Sequence, residues 1–207
     1  MYLERIPAGI YAANCYLLGC EKTNKGAVID PGGDAKDILK RINKNVLEVE
    51  YIILTHGHAD HIGGVKEIKE KTGAKILIHR DDEYLLKSAE KNLSSLMSGP
   101  DITFDADQIL RHDDIIKLGE LELKIIHTPG HTPGGICIKV EDVLITGDTL
   151  FAGSIGRTDF EGGSFEKIIK SIKNKLLVYD DSTKVLPGHG PESTIGLERV
   201  KNPFLRK

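Results

Sequence analysis

The chain has 207 residues, 40% of them hydrophobic and 29% charged, with a formal net charge of −3. A chain of this length buries roughly 70% of its unfolded surface, so it needs no disulfide or metal staple merely to stay folded. The near balance of charge excludes a disordered chain and a generic nucleic-acid binder, and no apolar run reaches the roughly 18 residues that a membrane span needs.

The opening Met1-Tyr2-Leu3-Glu4-Arg5 is acidic too early for a signal peptide. No Ser/Pro-rich linker or charge block divides the chain, and the expectation is one soluble, cytoplasmic domain over residues 1–207, with neither nucleic acid nor membrane as partner. Cys15, Cys20 and Cys137 are odd in number and too few for a disulfide framework, so they read as buried thiols.

In chain order, apolar runs rich in Val and Ile predict strands over Ile10–Leu18 and Gly26–Ile29, then a helix over Ala35–Ile42. A strand over Tyr51–Leu54, a helix over Gly64–Lys71 and a strand over Lys75–Ile78 follow. Helical spacing of Leu85, Ala89, Leu93 and Met97 predicts a helix over Asp82–Met97, stopped by Gly99-Pro100. That stripe reads either as packing or as a wall of a substrate pocket. Strands come next over Ile115–Leu118, Leu121–Ile126, Ile136–Val140 and Val143–Thr146, with hairpin turns at Gly119-Glu120 and Glu141-Asp142. A helix over Phe165–Leu176 and a strand over Lys184–Leu186 complete the pattern, which is that of an α/β or α+β protein. A strand running into Asp30 and another into His56 are echoed later by strands running into Asp148 and His189. The echo implies two similar β-rich halves whose strand ends meet at one edge, with helices over the two outer faces.

Chemistry concentrates at those strand ends. Thr55-His56-Gly57-His58-Ala59-Asp60-His61 places four potential metal ligands within six positions, with small residues between them that let the backbone fold tightly. His131 lies between two proline-flanked turns, and Asp148 and His189 each sit in a glycine turn directly after an apolar run. Imidazole and carboxylate together suit zinc, iron or manganese. Asp30 reads as a partner for the free N–H of a ligating histidine or as a plain turn aspartate. His127 reads as a packed side chain, or as a support for the site. His79 and His112 read as structural.

The order and spacing of His56-x-His58-x-Asp60-His61, His131, Asp148 and His189 resemble the metallo-β-lactamase-fold hydrolases. Gly147-Asp148-Thr149-Leu150-Phe151, Gly156-Arg157-Thr158-Asp159, Pro187-Gly188-His189-Gly190-Pro191, Thr194-Ile195-Gly196 and Asn202-Pro203-Phe204 are similar to the short, single-domain glyoxalase II-like (hydroxyacylglutathione hydrolase-like) subgroup. The likeness runs from Asn14-Cys15-Tyr16 to Phe204.

It implies an α+β fold, an αββα sandwich with a dinuclear metal site at the edge of two mixed β-sheets. It further implies that His56, His58 and His131 hold one divalent transition metal, Asp60, His61 and His189 a second, and that Asp148 bridges them. Zinc comes first, with iron or manganese as alternatives. Asp60 and Asp148 are the implied catalytic carboxylates. A metal-bridging hydroxide, available because bound water ionises near pH 7, would attack a thioester such as S-lactoylglutathione. No Gly-x-Ser-x-Gly elbow offers a protein nucleophile instead.

Arg157 is the candidate for gripping a substrate carboxylate, the other reading being a structural arginine tied to Asp159 or Glu161. Only 18 residues follow His189, whereas longer glyoxalase II enzymes carry a helical domain there that helps bind the glutathione arm. A small-molecule thioester is therefore expected, and a full glutathione site is not. Persulfide dioxygenases, which look like mononuclear iron enzymes with a similar Gly-Arg-Thr-Asp stretch, are the alternative.

Overall fold

The computed structural model describes residues 1–206. One six-stranded sheet is built from β1 (Tyr2–Ala8), β2 (Ala13–Gly19), β3 (Lys25–Ile29), β4 (Glu48–Ile53), β5 (Lys75–His79) and β6 (Gln108–Leu110), lying side by side in that order. Helices α1 (Ala35–Lys44), α2 (Ala59–Ile62) and α3 (Val65–Thr72) interrupt this first half. The second half supplies β7 (Ile115–Leu118), β8 (Leu121–His127), β9 (Ile136–Val140), β10 (Val143–Gly147), a small hairpin of β11 (Leu150–Phe151) and β12 (Ser154–Ile155), then α4 (Phe165–Ser171). It closes with β13 (Lys184–Pro187), β14 (Ser193–Thr194) and α5 (Ile195–Lys201). The second six-stranded sheet has the order β14-β13-β10-β9-β8-β7.

Both sheets are mixed, and the echo in the sequence becomes a structural one. In the first sheet β3 and β4 run parallel and end at Asp30 and at the His56 turn. In the second, β10 and β13 run parallel and end at Asp148 and His189. These four strand ends thereby bring Asp30, the His56 turn, Asp148 and His189 to one edge.

The pleat explains the layering. In β2, Tyr16 and Leu18 face the other sheet while Cys15 and Leu17 face the helices, and all four are buried. Between the sheets Ile29, Ile53 and Leu77 meet Ile125, Ile138 and Ile145. Outside the first sheet, Ile38 and Ile42 of α1 and Val65 and Ile68 of α3 cover Val28, Ile52 and Ile76. Outside the second, Ile168 of α4, Ile172, Leu176 and Ile195 cover Leu144 and Val185. Truncating any of these fully buried Leu or Ile side chains to Ala should cost about 2–5 kcal/mol.

Several expected elements differ. The continuous helix expected over Asp82–Met97 is instead a 3-10 helix over Arg80–Lys87, a break at Ser88, and a short 3-10 turn over Ser94–Leu96. Side chains compete with the helical backbone there: buried Asn92 donates to the carbonyls of Leu85 and Ile102 and accepts from Ser94 N–H, and Leu93 is left-handed at φ 71°. The strand expected from Ile10 begins at Ala13, because Gly9 (φ 73°) and Ala12 (φ 50°) make a turn that leaves Ile10 and Tyr11 exposed. β1, β6, β14 and α5 are elements that the sequence pattern does not predict. The helix from Phe165 runs as α to Ser171 and as a π turn to Leu176. All three cysteines are free and buried, as expected.

Candidate metal centre

The turn after β4 places His56, His58, Asp60 and His61 around one point, with Ala59 N–H held by the carbonyl of Asn92 at 2.8 Å. Two groups of donor atoms converge, His56 with His58 and His131, and Asp60 with His61 and His189, each within 4.8 Å. Asp148 lies between them, its Oδ1 3.4 Å from His61 Nε2 and its Oδ2 3.6 Å from His131 Nε2 and 3.8 Å from His189 Nε2. Two glycines permit this crowding. Gly147 is left-handed (φ 47°), and a Cβ on it would lie 2.3 Å from Thr55 Oγ1; a Cβ on Gly188 would lie 2.2 Å from Asp148 Oδ1.

Three of the histidines are aimed from behind. His56 Nδ1–H donates to Thr55 Oγ1 (3.1 Å), whose own hydroxyl donates to Asp30 Oδ2 (2.6 Å), leaving His56 Nε2 without a partner toward the centre. His61 donates Nδ1–H to Asp30 Oδ2 at 3.0 Å, and His131 donates Nδ1–H to the carbonyl of Arg157 at 2.8 Å. Asp30 also accepts Thr55 N–H at 2.7 Å and holds a left-handed φ of 51°. It therefore supports the site rather than merely turning the chain. Outer partners of this kind fix the tautomer and direction of a ligating ring.

Electrostatics match a cation site. Burial pushes His56 far below the ordinary histidine range, His58 down to about 3, and His131 down, so these rings are neutral and their lone pairs free. Burial would lower His61 too, but the carboxylates of Asp148 and Asp30 outweigh it and raise its proton affinity. Burial opposes ionisation of Asp148 and Asp60, yet their histidine neighbours, His61 first for Asp148 and His189 first for Asp60, hold both carboxyls below the usual range. Among the described residues, the buried side-chain atoms with no hydrogen-bond partner are His56 Nε2 and Asp148 Oδ1. Both point to where a metal would complete them, and the imidazole and carboxylate donors suit zinc, iron or manganese.

A cavity of about 480 Å³ opens over this cluster, with His58, Asp60, His131, Asp148 and His189 at its base. Arg157 lines it, but its guanidinium donates Nε–H to Asp159 Oδ1 (3.0 Å) and Nη2–H to Oδ2 (2.7 Å) and lies 4.3 Å over the Phe160 ring. This is the geometry of the structural reading, and the residue's direct contribution at the centre is its carbonyl on His131. His79 and His127 stand apart as a stacked pair, ring centroids 4.0 Å apart, and His112 accepts His127 N–H at 3.3 Å.

Two residues that sequence reasoning missed tie the ligand turns together. Thr55 relays Asp30 to His56. Buried Asp82 accepts from Thr132 Oγ1 (2.6 Å) and from Gly134 N–H (2.5 Å), anchoring the His131 turn, and it lies beside Gly57 of the His56–His58 turn. Its only sequence signal is an aspartate just after a buried strand. No helix among the described residues is long and apolar enough to cross a membrane.

Residues 8–189 match the metallo-beta-lactamase superfamily. Hydroxyacylglutathione hydrolase GloC of Haemophilus influenzae is 39% identical over 99% of this chain and 98% of its own length. Among solved structures, the BLEG-1 B3 metallo-beta-lactamase superposes with a TM-score of 0.94 at 36% identity, over the full length of both chains. TTHA1623, solved in a di-iron-bound form, superposes with a TM-score of 0.87 at 30% identity, over 98% of this chain and 100% of its own. The fold, the metal-fitting cluster and these likenesses agree: the chain belongs to the metallo-beta-lactamase superfamily.

Proposed function

We propose that this protein is a dinuclear metal-dependent hydrolase of thioesters, of the kind whose acyl group is carried on a small thiol such as glutathione. His56, His58 and His131 would hold one divalent metal, Asp60, His61 and His189 the other, and Asp148 would bridge them. Zinc is the first choice, and the di-iron form of TTHA1623 supports iron as an alternative. The observation that carries the reading is Asp148, an ionised carboxylate 12% exposed and set between two donor groups, where it can screen two cations from each other. The GloC relative supports the thioester class. The free buried thiols suit a reducing, cytoplasmic setting.

Two divalent cations in these positions supply Lewis-acid polarisation of a carbonyl and a water that ionises near neutral pH. The chain's own part is orientation. Asp30, Thr55 and the Arg157 carbonyl hold His61, His56 and His131 with their free nitrogens inward. Asp60 stays ionised beside His189 (3.2 Å) at the cavity floor, placed to accept a hydrogen bond from the attacking water and set its line of approach. Water oxygen adds to the thioester carbon and the C–S bond breaks; of the two water protons one goes to the leaving sulfur and one to solvent, so that a thiol leaves toward the open cavity and a carboxylate remains.

A panel on the metal-loaded protein tests this: acyl thioesters, a β-lactam, and a persulfide with oxygen uptake recorded. Thioester hydrolysis without oxygen uptake is expected. Turnover confined to the β-lactam, or oxygen consumed with the persulfide, would replace the reading.

A further inference from the structure

The walls of the cavity differ in character from its floor. One part of the lining comes from a single irregular segment that contributes Leu93, Leu96 and Met97; Phe151, Ile155 and Phe160 add further apolar surface, and Tyr11 and Ser154 add a hydroxyl each. Leu96 is 81% exposed, an apolar side chain held at the rim with nothing covering it. The only lysine or arginine among the lining residues is Arg157, and both oxygens of Asp159 already neutralise it.

The apolar wall is held in place rather than loosely draped. Asn92, fully buried, accepts Ala59 N–H through its carbonyl at 2.8 Å and uses its side chain on Leu85, Ile102 and Ser94. The next residue, Leu93, is fixed in a left-handed conformation that a branched side chain adopts only when its surroundings demand it. Asn92 thereby fastens the apolar wall to the backbone between His58 and Asp60. A site meant for a charged peptide arm would set free cations along these walls. Here the carboxylates and imidazoles sit at the floor, where a carbonyl would react, and Leu93, Leu96, Met97, Phe151, Ile155 and Phe160 make the rest of the lining mainly apolar.

We propose that the cavity selects thioesters with a straight, apolar acyl chain longer than acetyl, and that Leu93, Leu96 and Met97 form the acyl-recognising wall. The inference rests on the thioesterase reading above and deepens it to an acyl class. It also makes a substrate carboxylate unnecessary for recognition.

The test uses metal-loaded protein and the acetyl, butyryl, hexanoyl and octanoyl thioesters of one neutral thiol, N-acetylcysteamine, with the lactoyl thioester alongside. Burial of each methylene should raise kcat/KM by up to about fourfold until the cavity is filled. Butyryl should exceed lactoyl, because Leu93, Leu96 and Met97 offer the lactoyl hydroxyl no hydrogen-bond partner. Leu96→Glu, a change at an exposed position that folding should tolerate, is expected to cut the hexanoyl-to-acetyl ratio at least fivefold. Isothermal calorimetry of the corresponding carboxylates gives a reading independent of turnover, in which hexanoate should bind at least tenfold tighter than acetate. Thioesters hydrolysed at rates that are flat or falling with chain length, or a chain-length ratio unmoved in Leu96→Glu, would overturn the acyl inference and leave the thioesterase reading intact. No hydrolysis of any thioester would overturn that reading and the acyl assignment with it.

Discussion

Asp82 offers the sharpest quantitative test of how the ligand turns are held. Its carboxylate is fully buried and accepts from Thr132 Oγ1 and Gly134 N–H. Removing it in Asp82→Ala strands two buried donors, at about 1–3 kcal/mol each, against which the loss of one buried charge is a partial offset. The expected net destabilisation is about 2–5 kcal/mol in denaturant unfolding of the metal-free protein. Because the His131 turn loses its anchor, metal affinity by chelator competition should fall about 10-fold or more.

Burial pushes the Asp82 carboxyl up to about 6, above its ordinary value of 3.8. The folded state therefore binds more protons than the unfolded state between those values, and stability is lost as pH rises across that window, by at most about 3 kcal/mol. Asp82→Asn keeps an acceptor for Gly134 N–H and turns an amide donor toward Thr132, whose hydroxyl can rotate to accept. That variant should stay within about 1 kcal/mol of wild type near pH 4 and lack the decline between pH 4 and 6. Parallel stability curves for wild type and Asp82→Asn, or a cost below about 1 kcal/mol in Asp82→Ala, would refute the reasoning.

Other expectations follow from the same geometry. Asp148→Asn keeps the shape and removes the bridging charge, so elemental analysis should find one metal per chain lost; unchanged content would remove Asp148 from the ligand set. Asp30→Ala leaves His61 Nδ1, Thr55 N–H and the Thr55 hydroxyl without their acceptor, and metal affinity should drop about 10- to 100-fold. Gly147→Ala combines a left-handed φ of 47° with a Cβ 2.3 Å from Thr55 Oγ1, and should cost about 1–3 kcal/mol in thermal or denaturant unfolding. Arg157→Ala breaks an exposed pair with Asp159, so stability should change by about 1 kcal/mol or less. Its KM for carboxylate-bearing and neutral thioesters should move alike; a tenfold rise for the carboxylate-bearing one alone would restore the carboxylate grip.

The parts of this molecule legible in the chain are those written in local pattern. Runs such as Tyr51–Leu54 and Val143–Thr146 end directly at histidine- or aspartate-bearing glycine turns, so local pattern alone places the site at strand ends, and the parallel pairs β3/β4 and β10/β13 put those ends together. What escapes depends on partners distant in sequence. Leu85, Ala89, Leu93 and Met97 do fall at helical spacing, but Asn92 and Ser94 take their hydrogen bonds elsewhere. The stripe then divides, with Leu85 buried against Gly57 and Leu93 and Met97 lining the cavity. β1 carries Glu4 and Arg5 in mid-strand, which hides it, although Arg41 of α1 pairs with Glu4. Asp82 and Thr55 act only through turns brought close by the paired sheets, and nothing in their neighbours in sequence distinguishes them. Asp30 and Arg157 each admit two readings in the sequence; the hydrogen bonds of Asp30 favour support of the ligands, and those of Arg157 favour the structural tie.

The most direct test of a two-metal thioesterase is to titrate metal-free protein with zinc while following hydrolysis of a neutral acyl thioester and counting bound metal per chain. Hydrolysis that reaches its plateau only as the second equivalent binds, and that fails to do so in Asp148→Asn, is the expected result. Full hydrolysis at one equivalent, with no further metal bound, would contradict it.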